Sequence, residues 1–171
     1  FGEYSRITPS FEEPNIVMNN NLRGTFEIIE FCKNNNCKLI YSGSTSIFGN
    51  NMKDQHSSPY SWSKAKNIEL IHNYKKWYNV DFIITYFSNV YGEGQIETGK
   101  YSTVIGKFQQ QYKNKKPLTV VKPGTQQRDF THINDTIDAI IIASQKGEGD
   151  GYVIRTGIQY SILEVAKMFS N

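Results

Sequence analysis

Tyr60 and Lys64, which stand four residues apart, form the pattern in this sequence that is best suited to proton transfer. Residues four apart on a helix share one face, so the phenol and the ammonium point the same way. A cation beside a tyrosine hydroxyl favours the phenolate and lowers the tyrosine pKa, which would make Tyr60 a usable base. Ser44, in a polar stretch upstream, could hydrogen-bond the same substrate hydroxyl. The motif alone is weak, and a surface pair of two common residues is the alternative interpretation.

Helical and strand patterns alternate around these residues. Pro14 suits the first turn of a helix, and apolar residues then recur every three to four positions, which predicts a helix to about Asn35. The patterns that follow predict a short buried strand, a polar loop, a long helix and a β-branched strand, over residues 38–42, 43–58, 59–77 and 80–87.

The second half of the sequence continues the alternation, with helices predicted over 101–112, 134–144 and 161–169 and strands over 118–121 and 152–154. Asn134 is a predicted N-cap, and Ser161 with Glu164 is a predicted capping box. This order indicates an α/β fold with a mainly parallel, Rossmann-like sheet. Ligands of such sheets lie beyond the carboxyl ends of the strands, which points to the loops after Ser42 and Phe87.

Composition argues against several classes of protein. The net charge of +3 over 171 residues comes from scattered cations, so we expect no nucleic-acid partner. No apolar run approaches transmembrane length and no signal peptide is visible, so we expect a cytoplasmic protein without membrane contact. Cys32 and Cys37 form a lone pair of cysteines, and the three histidines lack metal-ligand spacing. We therefore expect buried free thiols and no metal site.

Five segments follow one another in a recognisable order: NLRGT from Asn21, YSGSTSIFG from Tyr41, SPYSWSK from Ser58, YFSNVYG from Tyr86 and QRDFTHIND from Gln127. They are similar to motifs of the extended short-chain dehydrogenase/reductase family, which are N-V-x-G-T, S-S-x-x-V-Y-G, S-P-Y-x-x-S-K, R-x-x-N-V-Y-G and R-D-F-x-x-V-x-D. This family contains the nucleotide-sugar epimerases and dehydratases, with UDP-glucose 4-epimerase as a familiar member. Each match is modest alone, but together they span nearly the whole chain.

The resemblance implies a role for each matching residue. Tyr60 would be the acid/base, Lys64 would bind the nicotinamide ribose and lower the Tyr60 pKa, and Ser44 would hydrogen-bond the reacting sugar hydroxyl. The cofactor would be NAD, with further contacts from Asn21, Ser42, Gly43 and Phe87.

The resemblance also implies a nucleotide-sugar substrate, with a UDP-sugar favoured. Its contacts would be Ser44, Thr45, Asn89, Thr103, Val121 and Arg128. Asn89 and Arg128 would hold the phosphates, since a guanidinium offers several fixed donors to an anionic diphosphate. The alternatives are a turn residue for Asn89 and, for Arg128, an internal ion pair with Asp129 or Asp135.

The order of the motifs implies that residues 1–92 are the later part of the NAD-binding Rossmann domain. Residues 93–171 would be mainly a small region that binds the nucleotide sugar, interleaved with Rossmann strands. The glycine-rich phosphate-binding loop of the family is not found in the sequence. We therefore expect this loop, and the residue that selects NAD or NADP, upstream of Phe1, with the chain a fragment.

Thr45 and Ser46 stand where the family's 4,6-dehydratases carry acidic residues that help eliminate water, and neither can act as a carboxylic acid. The sequence therefore predicts NAD-dependent epimerisation, at C4 and through a keto-sugar. A nucleotide-sugar reductase or dehydrogenase of the same family, and an inactive fragment or binding module, are the alternatives. The resemblance further implies a homodimer through helices 14–35 and 59–78, where Tyr74 and Trp77 offer apolar surface.

Overall fold

The computed structural model describes residues 2–48 and 56–169. Its helices are α1 (Ile7–Glu12), α2 (Pro14–Val17), α3 (Gly24–Asn35), α4 (Pro59–Tyr78), α5 (Val104–Lys113), α6 (Ile133–Lys146) and α7 (Ile162–Met168). Its strands are β1 (Leu39–Ser44), β2 (Phe82–Phe87), β3 (Asn89–Tyr91), β4 (Gln127–His132), β5 (Gly149–Ile154) and β6 (Gln159–Ser161). Residues 49–55, in the middle of the predicted loop 43–58, lie outside the described part of the chain, as does Gly49 of the second motif.

The chain divides into two compact units. Unit one comprises Phe1–Phe87 and Ile140–Val153, and unit two comprises Ser88–Ala139 and Ile154–Asn171.

Unit one is built on a three-stranded sheet in the order β1-β2-β5. Strands β1 and β2 run parallel, with Leu39 opposite Phe82 and Ser44 opposite Phe87. Every residue of β2 except Phe87 is buried, which is typical of a strand covered on both faces. The predicted α/β fold is confirmed, and the parallel register places the carboxyl ends of β1 and β2 at one edge.

Two long helical segments supply much of the core of unit one. Ile29 and Cys32 of α3 and Ile71 and Tyr74 of α4 join one cluster with the apolar side chains of β1 and β2. Full burial of an aliphatic or aromatic side chain of this kind contributes roughly 1.5–3 kcal/mol. The position of α4 over the sheet is thereby fixed by several independent contacts.

The helix predicted from Pro14 to Asn35 is present, with a π-helical segment, Met18–Arg23, between α2 and α3. Asn36 ends it in the left-handed conformation, with a φ of 50°. Because the helix stops there, Cys37 is exposed, whereas Cys32 is buried. The expectation of two buried thiols was therefore wrong for Cys37.

Unit two contains a second three-stranded sheet in the order β3-β4-β6. Strand β3 is parallel to β4, and β6 is antiparallel to it. Phe108 of α5 is completely buried in a cluster with Ile105, Ile162 and Val165. The predicted capping box of α7 is confirmed, since Ser161 and Glu164 each bond the backbone N–H of the other.

The strand predicted over residues 118–121 was wrong, because this segment forms no strand in the described part of the chain. The backbone N–H of Thr119 donates to Gln111 Oε1 at 3.1 Å, and its hydroxyl accepts from Gln111 Nε2 at 2.8 Å. A side-chain amide thus takes the place of a neighbouring strand.

Two further features of unit two differ from the expectations. Strand β4 was missed because its sequence, QRDFTH, lacks an apolar pattern. Asn134 was wrongly predicted as an N-cap, since α6 begins one residue earlier at Ile133. The hydroxyl of Thr136 donates to His132 O in that first turn, at 3.0 Å.

Among the helices of residues 2–48 and 56–169, none has the length and apolar content needed to cross a membrane.

Candidate active site

The first turns of α4 and the end of β1 hold the three residues to which catalysis was assigned. Ser58 caps α4, with its hydroxyl accepting from Ser61 N at 3.1 Å, and Pro59 occupies the first helical position. Tyr60 and Lys64 therefore lie one turn apart on a helix whose start is fixed. Ser44 is the last residue of β1, at the carboxyl edge of the parallel sheet.

Ser44 lies beside Tyr60, close enough for its hydroxyl to lower the pKa of the Tyr60 phenol. The Ser44 hydroxyl lies 2.8 Å from that of Ser46 as well. Only 9% of Tyr60 is exposed to solvent. A substrate hydroxyl placed against this pair would find a proton acceptor and a hydrogen-bond partner at one point.

Lys64 is buried beside this pair, with 4% of the residue exposed. Its ammonium donates to Ser42 O at 2.6 Å and to Glu3 Oε2, and it lies 4.9 Å from the centre of the Tyr41 ring. A lysine ammonium has three N–H donors. Within the described part of the chain two of them are engaged, which leaves one for a further acceptor.

Glu3 is the functional side chain that sequence reasoning missed. Besides Lys64, its carboxylate accepts from the Tyr41 hydroxyl at 3.0 Å and from Asn67 Nδ2 at 2.9 Å. The Thr25 hydroxyl donates to it at 3.2 Å. Glu3 stands 61 residues from Lys64 and belongs to none of the recognised motifs, so only the fold brings it to the site.

The protonation of Tyr60 differs from the expectation. Burial raises its pKa and the Glu3 carboxylate raises it further, while the Ser44 hydrogen bond and the charge of Arg6 lower it. The net shift is upward, so the predicted lowering of the Tyr60 pKa was wrong for the protein's own groups. The main physical reason is the burial of the phenol, and the Lys64 ammonium, which was to stabilise the phenolate, is paired with Glu3.

Lys64 itself has a lowered pKa, because burial penalises the ammonium. The charge of Glu3 and its hydrogen bond act in the opposite direction and favour the protonated form. The carboxylate therefore supports the charged state of Lys64 and opposes that of Tyr60.

Asn21, from which a cofactor contact was predicted, is fully buried on the π-helical segment. Its side-chain oxygen accepts from Tyr4 N at 2.7 Å, and its amide donates to Tyr4 O at 3.1 Å and to Ser63 Oγ at 2.9 Å. These bonds attach residues 2–13, the N-terminal segment, to α4. The structure thus shows Asn21 engaged with protein groups, and its contact with a cofactor stays a prediction.

Gly43 and Thr45 are held by the residues that end β2. A Cβ on Gly43 would lie 2.7 Å from the Tyr86 ring, so only glycine allows this close packing. The Thr45 hydroxyl donates to Phe87 O at 3.0 Å. Both contacts hold the two strand ends together beside Ser44.

The donors at this edge fit the ribose and nicotinamide part of a dinucleotide. Lys64 offers an N–H for a ribose hydroxyl, and the site lies beyond the carboxyl ends of parallel strands, where α/β folds bind such ligands. The predicted cofactor residues Ser42, Gly43 and Phe87 lie at the same edge.

The remaining predicted substrate residues, Asn89, Thr103, Val121 and Arg128, belong to unit two. Asn89 Nδ2 donates to Asp129 O at 3.1 Å, and Arg128 is exposed, with Nη1 donating to Gln127 O at 2.7 Å. The Asp129 carboxylate instead accepts from both N–H and hydroxyl of Thr156 and from Gly157 N. In the described part of the chain, Arg128 therefore forms no ion pair with Asp129, and none is observed with Asp135.

Thr103 and Val121 differ in their surroundings. The Thr103 hydroxyl caps α5 by accepting from Gly106 N at 3.0 Å, and it donates to Gln95 Oε1 at 2.8 Å. Val121 is 77% exposed. Thr103 thus has a defined structural role, whereas Val121 presents an apolar surface to solvent.

Two histidines contact neighbouring side chains: His72 lies 3.0 Å from Asp150, and His132 meets the Tyr91 ring edge-on. No group of three or more metal-ligating side chains occurs among residues 2–48 and 56–169.

Comparison with known proteins bears on this arrangement. Residues 1–154 match the NAD dependent epimerase/dehydratase family. A dTDP-D-glucose 4,6-dehydratase of Dictyostelium discoideum is 32% identical over an alignment of 189 positions, which covers 98% of this chain and 43% of that protein.

Solved structures of nucleotide-sugar 4-epimerases are similar in fold. A UDP-glucuronic acid 4-epimerase of Bacillus cereus, solved with UDP-glucuronic acid and NAD, is 26% identical with a TM-score of 0.88 over 98% of this chain and 56% of that one. A UDP-N-acetylglucosamine 4-epimerase of Methanobrevibacter ruminantium is 25% identical with a TM-score of 0.90, over 98% and 57%.

The chain spans about half the length of these relatives. The match to the family covers both the Ser44–Tyr60–Lys64 set and most of unit two. This chain therefore belongs to the NAD-dependent epimerase/dehydratase family, within the extended short-chain dehydrogenases/reductases.

Proposed function

We propose that the protein containing this chain catalyses the NAD-dependent epimerisation of a nucleotide sugar at C4, with a UDP-sugar as substrate. The observation that carries the proposal is the placement of the Ser44 hydroxyl beside the Tyr60 phenol, with Lys64 one helical turn further on. The solved 4-epimerases similar to this chain, named for UDP-glucuronic acid and UDP-N-acetylglucosamine, support the choice of reaction and nucleotide.

In this proposal Tyr60, in its phenolate form, accepts the proton of the sugar C4 hydroxyl as that carbon is oxidised, and returns it when the keto-sugar is reduced. NAD, when bound, supplies the acceptance and return of a hydride, which the protein's side chains cannot provide. Ser44 hydrogen-bonds the reacting oxygen and orients it toward the phenol. Lys64 holds a ribose hydroxyl of the cofactor. Epimerisation results when the keto-sugar presents its other face before reduction.

The environment of Thr45 and Ser46 favours epimerisation over dehydration. The Thr45 hydroxyl is bonded to Phe87 O, and Ser46 is bonded to Ser44, so neither offers an acid for the removal of water. The Glu3 carboxylate also lies nearby, but it accepts a hydrogen bond from the Lys64 ammonium and is not assigned to the removal of water. A reductase or dehydrogenase that uses Ser44, Tyr60 and Lys64 would consume the cofactor and so change the nicotinamide absorbance, whereas an epimerase causes no net change.

Arg128 and Asn89 of unit two are the residues to which we assign the substrate diphosphate. The guanidinium of Arg128 is exposed and engages only a backbone oxygen in the bonds described above, so several of its donors can serve an anion. Thr103 and Val121 are assigned to the same substrate.

Tyr60→Phe removes the acid/base while keeping the ring, so turnover is expected to fall by about 10²- to 10⁴-fold, with the fold intact. The measurement is proton NMR of UDP-glucose incubated with NAD and the full-length gene product, in which UDP-galactose gives a second anomeric signal. Tyr74→Phe, which removes from the same helix a hydroxyl that donates to Glu30, serves as the control for the loss of a tyrosine hydroxyl. Appreciable activity in folded Tyr60→Phe would contradict the assignment of Tyr60 as the acid/base.

Arg128→Ala is expected to raise KM for the nucleotide sugar by roughly tenfold or more with a smaller change in kcat, since it removes a contact made to the bound diphosphate throughout the reaction. Arg155→Ala, which removes another exposed arginine of the same unit, is the matched control. Equal KM values for Arg128→Ala and the wild type would remove Arg128 from the site.

We also propose a homodimer through α3 and α4. Phe31 on α3 and Trp77 and Tyr78 on α4 are 58%, 60% and 54% exposed. Such a group of exposed aromatic side chains is typical of a protein–protein interface. Tyr74, which was expected at this surface, is instead buried, with its hydroxyl donating to Glu30 at 2.6 Å.

Light scattering is expected to give the mass of two subunits for the wild type and of one for Phe31→Glu/Trp77→Glu. A monomeric wild type would refute the dimer.

A further inference from the structure

The carboxylate of Glu3 is held from several directions at once. Its Oε1 accepts three neutral donors, the Tyr41 hydroxyl, Asn67 Nδ2 and the Thr25 hydroxyl, which come from β1, α4 and α3. Its Oε2 accepts the ammonium of Lys64. Three bonds on one oxygen fix the orientation of the carboxylate, so that the other oxygen faces Lys64.

The backbone around Glu3 is anchored as firmly as its side chain. The next residue, Tyr4, is bound through both its N–H and its C=O by the side chain of Asn21. Further along, the Ser10 hydroxyl, which is fully buried, accepts from the backbone N–H of Tyr60 at 3.4 Å. The N-terminal segment thus lies against the start of α4 and holds Glu3 in place.

Lys64 is fixed by two acceptors of different kinds. Ser42 O, near the carboxyl end of β1, accepts one N–H at 2.6 Å, and Glu3 accepts another. The side chains of Lys64 and Glu3 are 5% and 11% exposed, so their ion pair is almost removed from water. Burial of an ion pair costs desolvation energy and is weak evidence for a stabilising role. Because Lys64 is the residue that the proposed function assigns to the cofactor, a functional role for its ion pair with Glu3 is the better explanation.

We propose that Glu3 is a positioning residue for the reaction, which holds the Lys64 ammonium so that its remaining N–H meets the cofactor ribose. The proposal rests on the proposed function for the identity of the cofactor. Glu3 itself touches neither substrate nor cofactor in this account, and it acts through Lys64.

Among residues 2–48 and 56–169, the charged and titratable groups that act on Lys64 and on its neighbour Tyr60 come from three places. Glu3 and Arg6 belong to the N-terminal segment, Tyr41 to β1 and Tyr60 to α4. Glu3 raises the pKa of Lys64 and also that of Tyr60, whereas Arg6 lowers the pKa of Tyr60. Removal of the Glu3 charge should therefore lower the pKa of both Lys64 and Tyr60.

The test is Glu3→Gln in the full-length protein, which keeps the shape of the side chain but removes its charge. The matched control is Glu13→Gln, because Glu13 accepts from the Tyr4 hydroxyl in the same segment and has no bond to Lys64. Protein labelled with ¹³C at lysine Cε is titrated by NMR without substrate, and the Lys64 signal is assigned with Lys64→Arg. NAD affinity is measured by calorimetry on the same samples.

The Lys64 pKa is expected to fall in Glu3→Gln, because the carboxylate that supports the ammonium is lost, and to stay unchanged in Glu13→Gln. Glu3→Gln should also bind NAD more weakly than Glu13→Gln. In an active enzyme both limbs of the pH–rate profile should move to lower pH, a change that mere loss of stability would not produce.

An unchanged Lys64 titration in folded Glu3→Gln overturns the proposal, as does unchanged NAD affinity. If Glu3→Gln does not fold, Glu3→Asp, which keeps the charge but draws the carboxylate back by one methylene, is compared with Glu13→Asp. Glu3→Asp must then bind NAD more weakly than Glu13→Asp, and equal affinities reject the proposal. Because these measurements need no turnover, absence of epimerase activity would refute the proposed function without deciding the role of Glu3.

Discussion

Lys64 carries its ammonium into a site where 5% of its side chain is exposed, and a charge so far from water has to be balanced by the protein. Glu3 provides this balance, and its carboxylate is in turn held by groups from β1, α3 and α4. The N-terminal segment, the sheet and two helices therefore share one polar network. A shift of any of these elements would leave buried polar groups without partners, which is why the network constrains the site as well as the fold.

The same ion pair changes how the Tyr–Lys pattern works. A free ammonium one turn from Tyr60 would favour the phenolate, but an ammonium neutralised by Glu3 does so much less. Burial and Glu3 raise the pKa of the phenol, with Ser44 and Arg6 acting in the opposite direction. The phenolate that accepts a substrate proton therefore forms at higher pH than the Tyr–Lys pattern alone predicts. In the proposed mechanism Lys64 orients a ligand hydroxyl, Tyr60 transfers the proton and Ser44 hydrogen-bonds the reacting oxygen.

Much of this arrangement follows from local sequence. The helices starting at Pro14 and Pro59 and the buried strand β2 were predictable because proline, apolar spacing and β-branched residues are local signals. Strand β4 and the short helix α1 were not, since their residues are polar or few and tertiary pairing decides their structure. Ser44, Tyr60 and Lys64 were recognised by motif, whereas Glu3 reaches Lys64 only through the fold. The raised pKa of Tyr60 depends on burial and on Glu3, and neither can be seen in a four-residue spacing.

The proposed function requires that the sugar be oxidised and reduced again at the same carbon. The decisive experiment uses UDP-glucose deuterated at C4, incubated with the full-length gene product and NAD. Epimerisation at C4 is expected to give UDP-galactose that retains deuterium at C4, with no net change in nicotinamide absorbance. Deuterium lost to water or found at another carbon of the product, or net reduction of the cofactor, would contradict it.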